Sequence, residues 1–441
     1  MDDHIRTVIR EKLAEAVSLP LPTWTRRDAR IPKIPKKAHA VIGMRRSGKT
    51  CFLHQCMAER LALKAPRNTQ VYFSFEDERL FPLDVKHLNW VLEEYYLLFP
   101  EMRDAHKVTF YFDEIQLVPG WETFVRRILD TEFVEVFVSG SSAKMLSREV
   151  ASALRGRGTE TVIFPFSFRE FLRHRGREIE DVARLTKAQR SWVERAFTEY
   201  LVCGGFPEAQ GLAKIDAIPL LQGYVETVVF RDVIERYQLT NIVALKRMVR
   251  QIIASPGARF SVHRLLADLR SQGVPVGKET LHAMFEHLVD AFLIRSAPIY
   301  TASERRRQSN PRKIYPVDPG LIGAFDRSGR ANLGHALETT VLIELERRGY
   351  SLSYYLSPKG TEVDFIAESV NGSPILIQVC ADLSDEETQK REFRSIAAAR
   401  AEMKNIPSLL LAKSALDVAL IDPPRGVKVR SVWEWMLSAR V

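Results

Sequence analysis

The chain has 441 residues, enough for about three domains at roughly 100–200 residues each. Its 46% hydrophobic and 27% charged residues are ordinary for a folded protein and exclude global disorder. The 64 basic and 55 acidic side chains leave a charge of +9 with histidine neutral, which permits nucleic acid or acidic lipid as a partner and requires neither. No apolar run reaches the roughly eighteen residues of a membrane helix. Met1-Asp2-Asp3-His4-Ile5-Arg6 lacks a secretory pattern, so the expected location is cytoplasmic. Cys51, Cys56, Cys203 and Cys380 fit no metal-ligand spacing and are too few for a disulfide framework.

A short N-terminal helix is expected first. Pro20, Pro22, Pro32 and Pro35 then mark an extended basic linker, giving a boundary at residue 36. Five apolar strands follow at about 39–43, 71–75, 108–112, 134–138 and 161–164, separated by helical stretches. That alternation predicts a parallel sheet with crossover helices over 37–166. Residues 167–239 have helical patterning, broken by Gly204-Gly205-Phe206-Pro207. Over 240–325 two short amphipathic helices, at about 261–269 and from 277, precede β-like segments at 293–300 and 313–317. Between those segments lies the basic run from Glu304 to Lys313. A helix-turn-helix with a basic hairpin resembles a winged helix. From 326 to 441 a helix at 337–347, strands near 352–356, 362–367 and 374–380, a helix at 386–403 and the run Leu409-Leu410-Leu411 predict an α/β unit.

Gly43-Met44-Arg45-Arg46-Ser47-Gly48-Lys49-Thr50 matches G-x-x-x-x-G-K-[ST] in full, with an apolar strand before it and a helix from Cys51 onward. Glycines let backbone N–H groups approach phosphates, and a helix N-terminus adds favourable partial charge. Lys49 would reach the β- and γ-phosphates and the Thr50 hydroxyl would ligate Mg²⁺. Asp113 and Glu114 end the apolar strand Phe110-Tyr111-Phe112. They are expected beside that loop, Asp113 on Mg²⁺ and Glu114 polarising the attacking water. Ser139-Gly140-Ser141-Ser142 closes the fourth strand, where a hydroxyl either senses the γ-phosphate or belongs to an ordinary polar turn. Arg155 and Arg157 flank Gly156, either reaching a neighbouring subunit's nucleotide or lying solvated at the surface.

As an ordered set these motifs, with Pro165-Phe166-Ser167-Phe168-Arg169-Glu170-Phe171 and Gly204-Gly205-Phe206-Pro207, resemble one family. They are similar to the bacterial and archaeal AAA+ ATPases whose C-terminal region is a domain of unknown function. The resemblance spans about residues 37–430. It implies a P-loop core, a helical lid, a winged helix and a PD-(D/E)XK nuclease-like domain. It makes Ser141 the sensor and Arg157 the arginine finger, with Arg155 in reserve, and sets Gly205 and Pro207 near the adenine. In the nuclease-like domain it implies Glu338, Asp364 and Gln378 as the remnant of a Mg²⁺ site. Gln378 is a weaker Mg²⁺ ligand than a carboxylate, and Cys380 stands where a lysine is needed. On those two departures the domain is expected to be inactive as a nuclease, although a displaced lysine such as Lys359 would in principle compensate.

The basic run carries Arg305, Arg306, Arg307, Arg312 and Lys313 against one acid, as phosphate contacts to DNA would require. The expected function is therefore an ATP- and Mg²⁺-dependent AAA+ motor or remodeller acting on DNA, including branched DNA such as Holliday junctions. It would form a homo-oligomer, for instance a hexameric ring, with no membrane attachment. The alternatives are a nucleotide-regulated signalling or assembly switch with a protein partner, and an ATP-gated nuclease.

Overall fold

A computed structural model describes residues 2–32, 34–140, 156–309, 311–326, 332–369, 372–403 and 406–438. They fall into two compact units, residues 1–163 and 164–441.

The first unit opens with α1 (Asp2–Ser18), then β1 (Ala38–Ile42), α2 (Lys49–Ala62), β2 (Gln70–Ser74), α3 (Val85–Leu98), β3 (Val108–Asp113), α4 (Trp121–Thr131), β4 (Val134–Gly140) and β5 (Gly158–Val162). The strands form one parallel sheet in the order β2-β3-β4-β1-β5. β1 and β3 are buried along their whole length, as strands covered by helices on both faces must be. β5 begins three residues earlier than the apolar run suggested, because Gly158 to Val162 pairs with all of β1.

The proline-rich stretch after α1 is irregular, as its prolines dictate, yet it is not a free tether. Leu21, Ala29 and Ile31 pack on a core of Val41, Phe52, Leu53, Met57, Tyr111, Phe137 and Ile163. Arg27 is buried: its side chain donates to the Ser47 carbonyl at 2.8 Å, and its backbone exchanges hydrogen bonds with the Gln55 amide at 2.7 and 3.0 Å. α1 is held on α3 by Arg6 and Arg10, both paired with the buried Glu94 at 2.9 and 2.7 Å.

The second unit starts with α5 (Phe168–His174), α6 (Lys187–Cys203), α7 (Lys214–Thr227, running on as a π-helix over Val228–Glu235) and α8 (Ile242–Ala254). Pro165-Phe166-Ser167-Phe168 turns into α5 through a capping box: the Ser167 hydroxyl accepts from the Glu170 N–H at 3.1 Å, and the Glu170 carboxylate accepts from the Ser167 N–H at 2.9 Å. Next come β6 (Arg259–Phe260), α9 (Val262–Ser271), α10 (Lys278–Asp290), β7 (Ile294–Ala297), α11 (Glu304–Ser309), β8 (Arg312–Pro316) and α12 (Pro319–Phe325). β6, β8 and β7 form an antiparallel sheet in that order beside the helix pair. The basic hairpin thus carries a short helix, α11, that the charge run did not reveal.

The chain ends in α13 (Leu333–Arg347), β9 (Ser351–Leu356), β10 (Glu362–Glu368), β11 (Ile375–Cys380), α14 (Glu386–Glu402), β12 (Ser408–Ala412), α15 (Ala415–Ala419), β13 (Val427–Ser431) and α16 (Val432–Leu437). The sheet order is β13-β12-β11-β10-β9, antiparallel from β9 to β11 and parallel from β11 to β13. No helix among the described residues is long and apolar enough to cross a membrane.

Gly204 and Gly205 are required by their neighbours. Gly204 has φ +73°, and a Cβ there would overlap the Asp318 carboxylate; one on Gly205 would lie 2.2 Å from the Phe166 carbonyl oxygen. Gly205→Ala should therefore lower the stability of the second unit by about 1–3 kcal/mol. Gly223→Ala, inside α7 with open space around it, should be neutral or stabilising by up to about 1 kcal/mol. Denaturant unfolding of the two variants side by side checks the contrast.

Candidate functional site

The carboxyl ends of β1, β4, β3 and β2 lie along one edge of the parallel sheet, where open α/β sheets bind ligands. β1 hands over to the loop at Gly43, whose φ is +149° and whose missing Cβ leaves room for the Ile163 carbonyl oxygen 2.3 Å from where it would stand. The loop closes at Gly48, φ +98°, the N-cap of α2, which offers no side-chain cap. The first amides of a 14-residue helix therefore open onto the loop. Met44, Ser47 and Lys49 are buried, Arg45 is half-buried, Arg46 and Cys51 are exposed. The Lys49 ammonium donates to the Gly43 and Met44 carbonyls, each at 3.2 Å.

Asp113 is buried and accepts from three hydroxyls. Thr50 Oγ1 donates to its Oδ2 at 2.8 Å, Tyr72 donates to the same oxygen at 2.7 Å, and Ser139 donates to Oδ1. Ser139 also accepts from the Glu114 N–H at 3.1 Å. β4 is thus interposed between the phosphate-loop strand and the acidic strand, and its Ser139 hydroxyl ties it to the acidic strand. Glu114 sits in the left-handed region, φ 54°, and accepts from the Gln116 amide. Burial raises the Glu114 pKa; Lys49 opposes that rise and Asp113 adds to it. Tyr72 was not singled out by motif, and Ser139 belonged to the quoted Ser-Gly-Ser-Ser element without being its assigned hydroxyl. The signal available was their position at or beside the ends of strands neighbouring β3.

The remaining assignments divide. Ser141 and Arg155 lie outside the described residues. Arg157 precedes β5 next to the start of β1, at the sheet edge opposite the loop, and pairs with Asp130 of α4. Five strand residues, roughly 16 Å, separate the two edges. In the second unit, Gly205 N–H donates to Asp318 at 2.7 Å and its carbonyl accepts from Phe166 N–H at 2.7 Å. Both polar groups of Gly205 are therefore committed. Asp318 is buried and also accepts from the Gly320 N–H at 2.9 Å; burial pushes its pKa up to about 7, with the two N–H donors opposing.

The basic hairpin requires a correction. Arg305, Arg306 and Arg307 are exposed on α11, whereas Arg312 pairs with Glu286 at 3.2 Å and Lys313 is 2% exposed. The Lys313 ammonium lies 2.8 Å from Glu338, 2.9 Å from Glu362 and 2.9 Å from Asp364. Lys313 is an internal counter-ion and not a surface contact. The missed signal was the apolar run that follows, since β8 is buried on both faces from Lys313 to Pro316. Tyr315 donates to Glu338 at 2.6 Å. Burial opposes the charge on Lys313, but Asp364, Glu338 and Glu362 outweigh it and raise its pKa. Gln378 accepts from the Asp364 N–H at 3.2 Å and donates to Glu392 at 2.8 Å, so it supports the cluster from behind. Lys359 is exposed on the turn before β10. Among the described residues no group of three or more His, Cys, Asp or Glu is arranged to hold a metal ion.

Removing donors from Asp113 tests the hub. Tyr72→Phe should cost about 1 kcal/mol and Ser139→Ala about 2 kcal/mol, because Ser139 serves both Asp113 and the Glu114 amide. Denaturant midpoints of the first unit give the order.

A family model described as an AAA domain matches residues 35–172, and one for a domain of unknown function, DUF8612, matches residues 194–332. Uncharacterized protein MJ1544 of Methanocaldococcus jannaschii is 30% identical over 424 residues, covering 93% of this chain and 91% of its own. An uncharacterized protein of Haemophilus influenzae is 28% identical over 401 residues, 90% of this chain and 94% of that one. Among solved structures, C. elegans PCH-2 matches at 14% identity and a TM-score of 0.26, over 52% of this chain and 62% of that one, a likeness that carries no argument. With an AAA domain at its N-terminal side and 30% identity across nearly the whole of MJ1544, the chain belongs to the family of that archaeal protein.

Proposed function

We propose that the protein is a Mg²⁺-dependent ATPase that works as a homo-oligomer. The observation that carries this reading is the Thr50–Asp113 hydrogen bond beside a glycine loop that opens on the α2 N-terminus. Lys49 rests on two neutral carbonyls, partners that an anionic phosphate would displace. Gly43 through Cys51 would hold the phosphates, with Thr50 and Asp113 as the residues for Mg²⁺. Bound ATP with Mg²⁺ supplies a phosphoryl group whose transfer to water yields ADP and phosphate. Glu114 serves as the proton acceptor for that water, and its raised pKa makes it a stronger base than an exposed glutamate. Ser141 is proposed as the sensor. Arg157, at the far sheet edge, would serve a neighbouring subunit's site after leaving Asp130, with Arg155 in reserve. Contact of the Gly205-Phe206-Pro207 turn with adenine would come through Pro207, since the Gly205 backbone is engaged.

For the substrate we favour DNA, Holliday junctions included, on the net charge of +9 and the exposed Arg305, Arg306 and Arg307 beside a helix pair and a three-stranded antiparallel sheet. Arg312 and Lys313 do not add to that support. A second reading, a nucleotide-regulated switch toward a protein partner, is favoured by the grip on the segment that follows the parallel sheet. Asp318 holds Gly205, and Arg347 of α13 donates to the Pro165 carbonyl at 3.0 Å. The nuclease reading has Glu338 and Asp364 in its favour and the ammonium between them against it.

Steady-state ATP hydrolysis with no DNA, single strand, duplex and a four-way junction tests these readings. Stimulation, greatest with the junction, is expected for a DNA motor; identical turnover in all four would remove DNA and leave the switch. Lys49→Ala should lose nucleotide binding, and Glu114→Gln should bind ATP but stall. Arg157→Ala should lose roughly 10³ in turnover, and a loss below about tenfold would refute its trans role. The active Glu114 is the carboxylate and its pKa lies above the ordinary 4.5. Turnover should therefore fall on acidification at a higher pH than an exposed glutamate would impose, and stay level above it.

A further inference from the structure

The carboxylates Glu338, Glu362 and Asp364 come from α13 and β10, and the ammonium among them comes from β8 of the preceding antiparallel sheet. Three features describe this group. First, the Lys313 side chain is 3% exposed and those of Asp364, Glu338 and Glu362 are 12%, 17% and 29% exposed, so the three carboxyl groups are gathered where water screens them only in part. Second, Lys313 donates to Glu338 and Asp364 and is ion-paired with Glu362, so three oxygens face a group with three N–H bonds. Third, the oxygens stand 2.8–2.9 Å from the nitrogen. That spacing suits an ammonium and is too wide for Mg²⁺, which takes oxygens at about 2.0–2.1 Å. The other contacts of the cluster hold this arrangement. Val379 N–H donates to the second Asp364 oxygen at 3.0 Å, Tyr315 donates to Glu338, and Arg259 lies 3.6 Å from Glu362.

We propose that Lys313 is the resident cation of this cluster: it occupies the place of a divalent ion, closes the carboxylates to metal, and ion-locks the basic hairpin strand to the C-terminal sheet. Leaving β10 would strand the buried Asp364 and the half-buried Glu338 and Glu362, so β8 and the C-terminal sheet move as one piece. The lock is independent of the nucleotide reading, since none of its residues belongs to the phosphate loop.

The test uses the full chain, free of nucleotide, with Asp113→Asn added so that the phosphate-loop region contributes no Mn²⁺ uptake. Bound Mn²⁺ is counted by electron paramagnetic resonance, and the melting midpoint is followed with and without millimolar Mn²⁺. The parent should take up no Mn²⁺ through this cluster. Lys313→Ala should melt lower by about 5 °C or more, bind a single Mn²⁺, and recover part of the loss when the ion is added. Adding Asp364→Asn to Lys313→Ala should abolish both uptake and recovery. Mn²⁺ bound by the parent and lost with Asp364→Asn would show that the ammonium does not close the site. Lys313→Ala that takes up no Mn²⁺, or stays unfolded when refolded with Mn²⁺ present, would overturn the replacement of one cation by the other.

Discussion

The buried carboxylate of Asp113 organises the edge of the parallel sheet. An ionised group so enclosed needs donors, and it draws one from α2, one from β2 and one from β4. Those three hydrogen bonds fix the loop helix, the acidic strand and both flanking strands relative to one another. They also fix Glu114, since the serine that serves Asp113 accepts from the Glu114 amide. The left-handed backbone of Glu114 is tolerable because that amide is held.

The second unit solves a similar problem with a different currency of charge. Asp318 is enclosed with two backbone N–H donors, and burial raises its pKa against those donors and the Arg347 charge. Lys313 and its three carboxylates are enclosed with opposite charges in contact, so the ammonium is kept charged despite burial. The first arrangement clamps a glycine turn, the second clamps two sheets. Lys313 lies on β8, the second strand of the basic hairpin, and Asp318 caps α12 just after it.

Much of the parallel sheet was legible in the sequence because its strands are uniformly apolar and its loop has a defined glycine spacing. Residues Gly43 to Thr50 and Asp113 are brought together at one edge as that spacing and the strand ends require. The interposed β4 was not legible: strand order depends on long-range pairing that a one-dimensional pattern does not encode. Hence Tyr72 stayed unassigned, and Ser139 was read only as part of a polar element at a strand end and not as the partner of Asp113. The basic hairpin misled for a related reason. Five cations in ten residues look like a single solvated surface, but β8 is buried on both faces from Lys313 onward while α11 leaves Arg305 to Arg307 exposed. The proline-rich stretch misled through composition alone, since prolines forbid a helix but do not forbid packing.

That stretch has a consequence for where the phosphate-loop module begins. Arg27 reaches beneath the loop to the Ser47 carbonyl while its own backbone is pinned by Gln55 of α2. The floor of the loop is thus built partly from chain that precedes β1 by eleven residues (38 minus 27). The stretch between α1 and β1 therefore belongs to the phosphate-loop module itself, and removing it would take away both the Arg27 guanidinium under the loop and the apolar side chains of Leu21, Ala29 and Ile31.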